Sequence, residues 1–585
     1  MMNNLKLIIS LVAALLLPAT ALAQDDLTKE IIVDKDYVPV EQKAVKLKAK
    51  PVMVKIAPTS KELSYSDKVS PVATGNGLYI LSPYGYKTAP DYLSTRGYLH
   101  YGVGSFLNMA GDAGYRIIDN DKTRLSIALS HTSTWSGKPL LPSGDKDLKQ
   151  RFYRELARID FLHAFKSLTL TADIHYKYAY QNYLANIGTT EVKMPESKAN
   201  EIGFNVKGKS NPGSSIDCHV GLGLNYFSIK QNSIRDFDSH ETHLNLNAGV
   251  SSDWENVSRI GIDASIDYLF LGLNNEIALA SFASRSIAIG EYSSLRKTFD
   301  GDGRGIFAVN PYATIQQGNF TARLGAKVQL GIKEGGFKVA PDVRFDLHNT
   351  SRSVGAFVSL NGGLRLNDYA TLFNADRYLQ PCEQYVTTNT PIDARIGLNF
   401  GPFSGFKASL WAGYSVTKDA YDWVIASNNE GYNAYIFHDV KGFGYGASLS
   451  YSYGSILEAS AGISATSNDA DKGYYTGLLR SDFDIDARIR FSPIKPLSIT
   501  VEYRGLLDVN FYQFTRNSAE NWSLAPYSKE NAHILSLAAR YKINNLVAVW
   551  ASANNLLNKE YRLTPVVYEQ KFNVMGGVSL SFEID

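Results

Sequence analysis

Cysteine is scarce in this chain, and neither sign of charge dominates it. Only two cysteines, Cys218 and Cys382, occur in 585 residues, which excludes a disulfide scaffold and a four-cysteine zinc site. The 59 basic residues nearly balance the 57 acidic ones, so the basic excess expected of a nucleic-acid-binding protein is missing. No apolar run of about 18 residues follows position 23, which argues against membrane-spanning helices.

Aromatic residues, by contrast, are abundant. The chain holds 36 tyrosines and 27 phenylalanines, and tyrosine is more frequent than we expect of a soluble enzyme. Because tyrosine joins an apolar ring to a polar hydroxyl, it collects at the surfaces of membranes. The excess therefore favours a membrane protein of a kind other than a helical one.

The N-terminus has the features of a secretory signal peptide over residues 1–23. A short start containing Lys6 is followed by an apolar run that ends at Pro18, and Ala21 and Ala23 form a small-residue cleavage site. The apolar run is too short to span a bilayer. An exported chain without a membrane-spanning helix is secreted, periplasmic or a transmembrane barrel.

Residues 24–95 differ from the rest of the chain because lysine and proline recur through them. Prolines at 39, 51, 58 and 71 interrupt a segment in which lysines are interleaved with acids. Such a segment cannot bury a core of its own and is expected to be extended. We predict a periplasmic tail here, whose apolar and aromatic stretch over 78–86 partly fills the lumen of the domain that follows.

The domain over residues 96–585 shows long runs with a period of two. Between positions 168 and 180, apolar and tyrosine side chains alternate with polar ones for thirteen residues. Alternation of this length predicts a strand with one apolar and one polar face, longer than the strands of a soluble sandwich. Polar side chains predicted to face a lumen are Asp173, His175, Lys177, Glu502, Arg504 and Arg540.

Turn sequences separate these runs in a regular order. Ten short breaks, among them 120–122 and 401–402, alternate with longer polar connections and with two short ones near 109 and 334. Tight turns at one end and long loops at the other are typical of outer-membrane barrels. We therefore predict an all-β fold, a transmembrane antiparallel β-barrel of about 22 strands in the outer membrane, with both termini periplasmic.

The last strand is predicted to close the barrel. Gly576, Val578, Leu580 and Phe582 alternate on one face and end the chain with a near-terminal aromatic residue. Pairing with a first strand near 97–108 leaves no open sheet edge. We expect this strand to be the signal that the barrel-assembly machinery recognises.

The end of the chain resembles a known family. Asn-Asn-Leu-Leu-Asn-Lys-Glu-Tyr at 554–561 and Gly-Gly-Val-Ser-Leu-Ser-Phe at 576–582 are similar to the closing strands of TonB-dependent receptors, and residues 374–384 and 390–397 resemble a mid-barrel segment. The resemblance implies a 22-strand barrel. The resemblance is confined to the barrel, because the family's plug domain and its Ile-Arg-Gly motif are not found in the preceding 24–95 segment. The chain looks like the plugless receptor-like barrels of Bacteroidota-type envelopes.

Within the tail, Glu30, Ile31, Ile32 and Val33 resemble a TonB box, the segment on which an energy-transducing periplasmic partner pulls. Short segments of this composition also occur by chance. The partner of residues 24–95 is accordingly a TonB-type protein or another periplasmic envelope protein.

Metal-binding patterns are incomplete. His240 and His243 flank Glu241, but residues three apart on a strand point to opposite faces. The carboxylate clusters at 300–302 and 469–471 lack the terminal glutamate of a calcium loop. We predict no metal and no cofactor.

Catalytic patterns are equally sparse. His131 with Ser133, and His175 with Asp173, are same-face pairs that polar inward positions of a barrel produce by chance. No nucleophile elbow accompanies them. We predict that the chain is not an enzyme.

Two functions remain. The first is a receptor-like outer-membrane barrel without a full plug that takes part in solute uptake or passage. The second is a structural or assembly protein that sits in outer-membrane lipid and whose tail docks a periplasmic partner. The resemblance reports fold rather than function, so it leaves both open.

Overall fold

Strands dominate the computed structural model, as the period-two alternation predicts. The structure describes residues 96–136, 150–182, 196–211, 216–232, 237–254, 257–273, 303–375, 378, 386–425, 433–470, 481–516, 522–564 and 568–582. The predicted signal peptide, the tail over 24–95 with its TonB-box-like segment, and the carboxylates at 300–302 lie outside these residues. No helix in the described ranges is long and apolar enough to cross a membrane.

All the strands belong to a single antiparallel sheet that closes on itself, which confirms the predicted barrel of about 22 strands. They are β1 Gly97–Gly104, β2 Met109–Asp119, β3 Thr123–Ser136, β4 Gln150–Ala164, β5 Leu168–Asn182, β6 Glu196–Ser210, β7 Ile216–Asn232, β8 Phe237–Trp254, β9 Val257–Leu273, β10 Arg304–Gln317, β11 Phe320–Ile332, β12 Phe337–His348, β13 Val354–Arg365, β14 Thr388–Phe403, β15 Phe406–Ile425, β16 Asn433–Tyr453, β17 Leu457–Ala470, β18 Phe483–Ile494, β19 Leu497–Arg516, β20 Trp522–Lys542, β21 Val547–Asn554 and β22 Asn573–Phe582. An α-helix, α1, Tyr369–Ala375, follows β13.

Closure occurs between β1 and β22, the pair that the sequence pattern predicts. In this register Val103 lies opposite Gly576, Tyr101 opposite Val578, Leu99 opposite Leu580 and Gly97 opposite Phe582. The Phe582 ring covers Gly97, where an added Cβ would come within 2.1 Å of a ring carbon. Glycine is therefore the residue that lets the terminal aromatic ring lie flat on the first strand.

The lumenal side of the same seam is closed by Trp550 of β21. Its ring stacks on His100 at 4.7 Å between centroids and lies over Gly102, where a Cβ would meet it at 2.3 Å. His100 Nδ1 is also 2.7 Å from Ser579 Oγ on β22. Stacking and a buried hydrogen bond thus join β21, β22 and β1, so the first and last strands are joined by side chains as well as by the backbone ladder.

Connections alternate between tight turns at one end, the short-turn end, and longer segments at the other, the long-loop end. The two short connections predicted at the long-loop end are present, at residues 105–108 and 333–336. The turn predicted at 401–402 is wrong by three residues, because β14 continues to Phe403 and the turn is made by Ser404 and Gly405. The ladder shifts register between Phe400 and Phe403, and this irregularity accommodates the proline inside the strand.

Side chains alternate between the outer wall and the lumen along each strand. On β5, Ile174 and Tyr176 are 51% and 42% exposed on the outside, whereas His175 between them faces the lumen, where it lies near Glu201 of β6. The longest strands, β16 and β20, each have 21 residues, more than a bilayer requires. Since the short-turn ends of these strands are level with their neighbours, their extra residues project beyond the membrane-spanning part of the barrel at the long-loop end.

Candidate functional site

The chain after β13 turns back into the lumen at the long-loop end. Asp368 caps helix α1: its Oδ1 accepts a 2.6 Å hydrogen bond from the backbone N–H of Thr371, and its Oδ2 accepts one from the Thr371 hydroxyl. Apolar residues at helical spacing, Tyr369, Leu372 and Phe373, are each 2% exposed or less. We call residues 366–375 the wedge.

A glutamate on a distant strand holds the start of the wedge. Glu241 Oε2 accepts a hydrogen bond of 2.9 Å from the backbone N–H of Tyr369, and Oε1 accepts one of 2.7 Å from that of Ala370. At the other end, Asn374 Nδ2 donates to Glu201 on β6 at 3.4 Å. Hydrogen bonds from unpaired helix N–H groups to a carboxylate are strong when water is excluded. The wedge is thus tied to β6 and β8, five or more strands away from β13.

Wedge side chains pack into one apolar cluster with lumenal side chains of the barrel. The Phe373 ring lies 5.7 Å from that of Phe227 on β7, and Tyr369 meets Phe227 edge to face at 5.8 Å. From the opposite wall, Val509 and Phe511 of β19 join the same cluster. Its buried members are Ala199, Phe227, Ile229, Leu269, Leu271, Tyr369, Ala370, Leu372, Phe373, Tyr421, Phe437, Leu506, Val509, Phe511, Ala532, Ile534, Tyr561 and Leu563. An apolar core therefore crosses the lumen between facing walls.

A second segment, the 555–572 loop between β21 and β22, enters the lumen beside the wedge with its described parts, 555–564 and 568–572. Asn555 and Asn558 take left-handed backbone angles, with φ of 49° and 52°. Asparagine tolerates this conformation better than most residues. Asn555 Nδ2 also donates to the backbone oxygens of Lys559 and Gln570, at 2.8 and 3.1 Å. The asparagines of the 554–561 sequence thus fold the loop back on itself.

Arg562 fixes this loop to the barrel. It is 3% exposed, forms an ion pair with Glu530 on β20, and its guanidinium carbon lies 4.6 Å from the Phe511 ring centroid. Tyr527 and Tyr568 flank the guanidinium at 5.2 and 5.1 Å. A buried cation is tolerated because a carboxylate and three aromatic rings surround it.

Tyr561 and Leu563, on either side of Arg562, belong to the apolar cluster of the wedge. Burial, with the nearby Glu569 carboxylate, raises the pKa of Tyr561 well above its usual range, so the phenol stays neutral. The two in-folded segments are therefore parts of one core.

The long hairpins also approach each other above this core. Ile425 of β15 pairs with Gln513 of β19 in a parallel bridge, although the two strands are four positions apart in the sheet. Such a contact requires the ends of both hairpins to lean inward. The wedge, the 555–572 loop and these hairpins together narrow the long-loop end of the lumen.

Polar lumenal side chains form a separate network on β5 and β6. His175 lies 3.5 Å from Asp173 through Nδ1 and 3.3 Å from Glu201 through Nε2. Lys177 Nζ is 2.7 Å from the same Glu201 oxygen. Three of the residues predicted to face the lumen are therefore linked: His175 and Lys177 contact Glu201, which also holds the wedge, and Asp173 contacts His175.

The other three predicted lumenal residues lie on a different wall. Glu502 is 3.2 Å from Arg488 on β18, Arg504 lies opposite Asp486 in the strand register, and Arg540 lies opposite Trp550. The structure therefore separates the six residues into two groups instead of forming one site.

The barrel has the fold of TonB-dependent outer-membrane receptors. The FrpB iron transporter from Neisseria meningitidis aligns with 83% of this chain and 81% of its own, with a TM-score of 0.62 and 13% identity. The outer membrane transporter YddB from Escherichia coli aligns with 84% of this chain and 81% of its own, with a TM-score of 0.59 and 8% identity. The ferripyoverdine receptor of the outer membrane of Pseudomonas aeruginosa aligns with 83% of this chain and 72% of its own, with a TM-score of 0.57 and 12% identity. No protein-family model and no curated protein matches the chain.

In this receptor-type barrel the histidines near Glu241 have separate roles. His240 faces outward beside Tyr226, at 6.1 Å between ring centroids, whereas His243 faces inward 3.5 Å from Asp267. Among the residues that the structure describes, no group of three or more histidine, cysteine or carboxylate side chains could hold a metal ion. Glu241, set between the two histidines as a weak metal candidate, instead holds the helix.

The His131 and Ser133 pair faces away from the lumen, which corrects its assignment to inward positions. Leu129 and Trp135 share its side of β3 and are 54% and 50% exposed. Thr134, between Ser133 and Trp135, lies on the opposite, lumenal face, where it is buried and donates a hydrogen bond to Asn108. The second pair, His175 and Asp173, does face the lumen.

The wedge and its two anchors, Glu241 and Glu201, are not predicted by the sequence pattern. The signal was present: Asp368 followed by apolar residues at helical spacing, inside what otherwise reads as a long polar connection. A seven-residue helix is too short to stand out from sequence periodicity. Glu241 could not have been found, because its partner is 128 residues away.

Proposed function

We propose that this protein is a gated outer-membrane barrel of the TonB-dependent receptor type, which takes part in the passage of a solute. The observation that carries the proposal is the apolar core that joins the wedge to facing walls of the lumen. A barrel kept only as an anchor needs no segment tied by polar bonds across its interior. A barrel that must open needs such a segment, because the closed state then differs from the open state by a few contacts that can be broken.

The long-loop end is external in this proposal, and the termini are periplasmic. An exported chain with an N-terminal tail and tight turns at the same end supports this orientation. The wedge then closes the external mouth, where a solute would first bind. Outer-membrane lipid surrounds the apolar outer face, and the barrel-assembly machinery would recognise the β22 strand.

The lumenal wall below the wedge supports a polar solute. Asp173, His175 and Lys177 on one wall and Glu502 and Arg504 on another carry both signs of charge. A wall of mixed charge favours hydrated, polar molecules over an ion of one sign.

In this proposal the tail contains the segment that binds a periplasmic partner. Residues Glu30 to Val33 would engage a TonB-type protein. Binding of the mature full-length chain to the purified periplasmic domain of a TonB-type protein tests this step. Replacing residues 30–33 with glycine and serine should abolish the binding, and the same replacement at 60–63 should leave it unchanged.

The alternative is a structural protein whose tail docks another envelope component. The Lys/Pro-rich composition of 24–95 is the observation that favours it. Binding of the full-length chain to peptidoglycan, with no binding to the TonB-type domain, would replace the transport proposal with this one.

A further inference from the structure

A polar side-chain relay lies on the lipid-facing wall of the barrel, apart from the lumen. His131 Nε2 is 3.1 Å from Ser133 Oγ on the same strand, and His131 Nδ1 is 3.6 Å from Glu155 Oε1 on β4. One imidazole nitrogen is thus within hydrogen-bond distance of a hydroxyl, and the other is within ion-pair distance of a carboxylate. This is the order of contacts by which a histidine activates a serine.

The relay lies at the upper edge of the apolar band. Below it on this face, the strand register pairs Leu125 with Phe161, Ile127 with Ile159 and Leu129 with Ala157. Ser133 lies ten residues beyond the start of β3 at Thr123. At ~3.3 Å per residue and a tilt of ~40°, it is about 25 Å from the short turns, which is the height of the apolar band of such barrels.

The surroundings of Ser133 are those of a membrane interface. Trp135 lies above it, with the Arg151 guanidinium carbon 4.4 Å from the ring centroid. Tyr153, opposite Ser133 in the register, stacks on Tyr180 at 4.9 Å. Aromatic rings and an arginine at this height meet lipid head groups and their ester linkages. The small serine side chain, 8% exposed, lies between these larger ones.

We propose that Ser133, His131 and Glu155 form a hydrolytic site for acyl esters of membrane lipids at the external interface. Ser133 Oγ bonds to the ester carbonyl carbon while its proton passes to His131 Nε2. The carbon–oxygen bond to the alcohol breaks, and the alcohol leaves with that proton. Water then hydrolyses the acyl-serine ester, releasing the fatty acid and restoring the hydroxyl.

Glu155 is a positioning residue in this site. Its carboxylate lies beside Nδ1, so it orients the ring with Nε2 toward the hydroxyl and stabilises the imidazolium that forms. It does not touch the ester. Its loss should therefore alter the pH dependence of the rate as well as its magnitude.

The experiment measures fatty-acid release by the purified, full-length mature barrel in mixed micelles with phosphatidylethanolamine and, separately, with lipopolysaccharide. Wild type should release fatty acid from at least one of the two, and the active arm identifies the source of the ester. Ser133→Ala and His131→Gln should lower the rate by roughly 10³-fold or more. Glu155→Gln should lower it by about 10- to 100-fold and shift its pH profile.

Ser130→Ala is the matched control, because Ser130 lies on the same strand but faces the lumen. Heat-dependent gel mobility verifies that every variant is folded, and a fluorophosphonate probe gives a second readout that should label Ser133 in the wild type. Absence of both turnover and labelling in a folded wild-type barrel would overturn the proposal. So would turnover that survives Ser133→Ala. Neither result bears on whether the lumen carries a solute.

Discussion

The side chain of Glu241 accepts a 2.7 Å hydrogen bond from the backbone N–H of Ala370. One residue is on β8 and the other is in a helix that follows β13, so the bond joins parts of the barrel that are not neighbours in the sheet. Because Glu241 is 3% exposed, water cannot replace this bond while the wedge is in place. The docking of the wedge in the lumen therefore depends on a contact that one substitution can remove.

Glu241→Ala should loosen the wedge without unfolding the barrel. It removes the acceptor for two backbone N–H groups, and each buried donor left without a partner weakens docking by about 1–3 kcal/mol. Hydrogen exchange of the amides over 368–375 should accelerate, while exchange within β8 stays slow. Glu241→Gln keeps one acceptor oxygen and should give an intermediate effect. Glu458→Ala, at the short-turn end beside Arg490, is the control. Equal exchange rates in Glu241→Ala and wild type would show that Glu241 does not hold the wedge.

Phe373→Ala tests the apolar half of the wedge. The ring is 1% exposed against Phe227, so its loss leaves a cavity and should cost about 3–5 kcal/mol in docking of the segment. A cysteine placed at Ala370, which is buried in the docked wedge, in a background without Cys218 and Cys382, should then react faster with a water-soluble thiol reagent. Phe337→Ala, 65% exposed on the outer wall, should leave that rate unchanged. An unchanged rate in Phe373→Ala would show that the wedge does not depend on this core.

Gly102→Val should impair closure of the seam. A Cβ at this position would lie 2.3 Å from the Trp550 ring, which is held between His100 and the β22 backbone. Overpacking of this kind costs about 1–3 kcal/mol. The folded fraction after refolding into detergent, seen by heat-dependent gel mobility, should fall. Gly208→Ala meets only a flexible Leu168 methyl at 3.3 Å and should refold like wild type; equal yields for both variants would contradict the proposed role of Trp550.

Arg562 and Glu530 should show strong coupling in a double-mutant cycle. Arg562→Met leaves the Glu530 carboxylate without its buried cation, and loss of one partner of such a pair costs about 3–5 kcal/mol. Combining it with Glu530→Gln should restore part of that loss, because no unpaired charge remains. Thermal unfolding of the four proteins in detergent measures the coupling. Strict additivity of the two single effects would mean that the ion pair contributes nothing to the loop's position.

The barrel was predictable because its determinants are local and repeated. Strict alternation such as that of Ile174, His175 and Tyr176 sets the face of each residue, and turn sequences mark the ends of strands. The closing strand was predictable for the same reason, since Val578 and Leu580 need a partner that covers the last edge. These patterns persist in the sequence whatever the tertiary contacts are.

The in-folded segments of the lumen were not predictable because their determinants are distant. Glu241 stands between two histidines and suggests a weak metal site, yet its partners are backbone groups of another segment. Arg562 lies in a loop whose sequence resembles a closing motif and gives no sign of the three rings around it. The inward or outward direction of His131 and Ser133 could be settled only by neighbours such as Leu129.

Single-channel recording of the full-length mature barrel in planar bilayers is the most direct test of the gated lumen. The comparison is between wild type and a chain in which residues 366–375 are replaced by a glycine and serine linker of the same length. Wild type should stay closed without a partner, and the linker variant should conduct. Equal conductance in the two proteins, whether both are open or both are closed, would contradict a gated lumen.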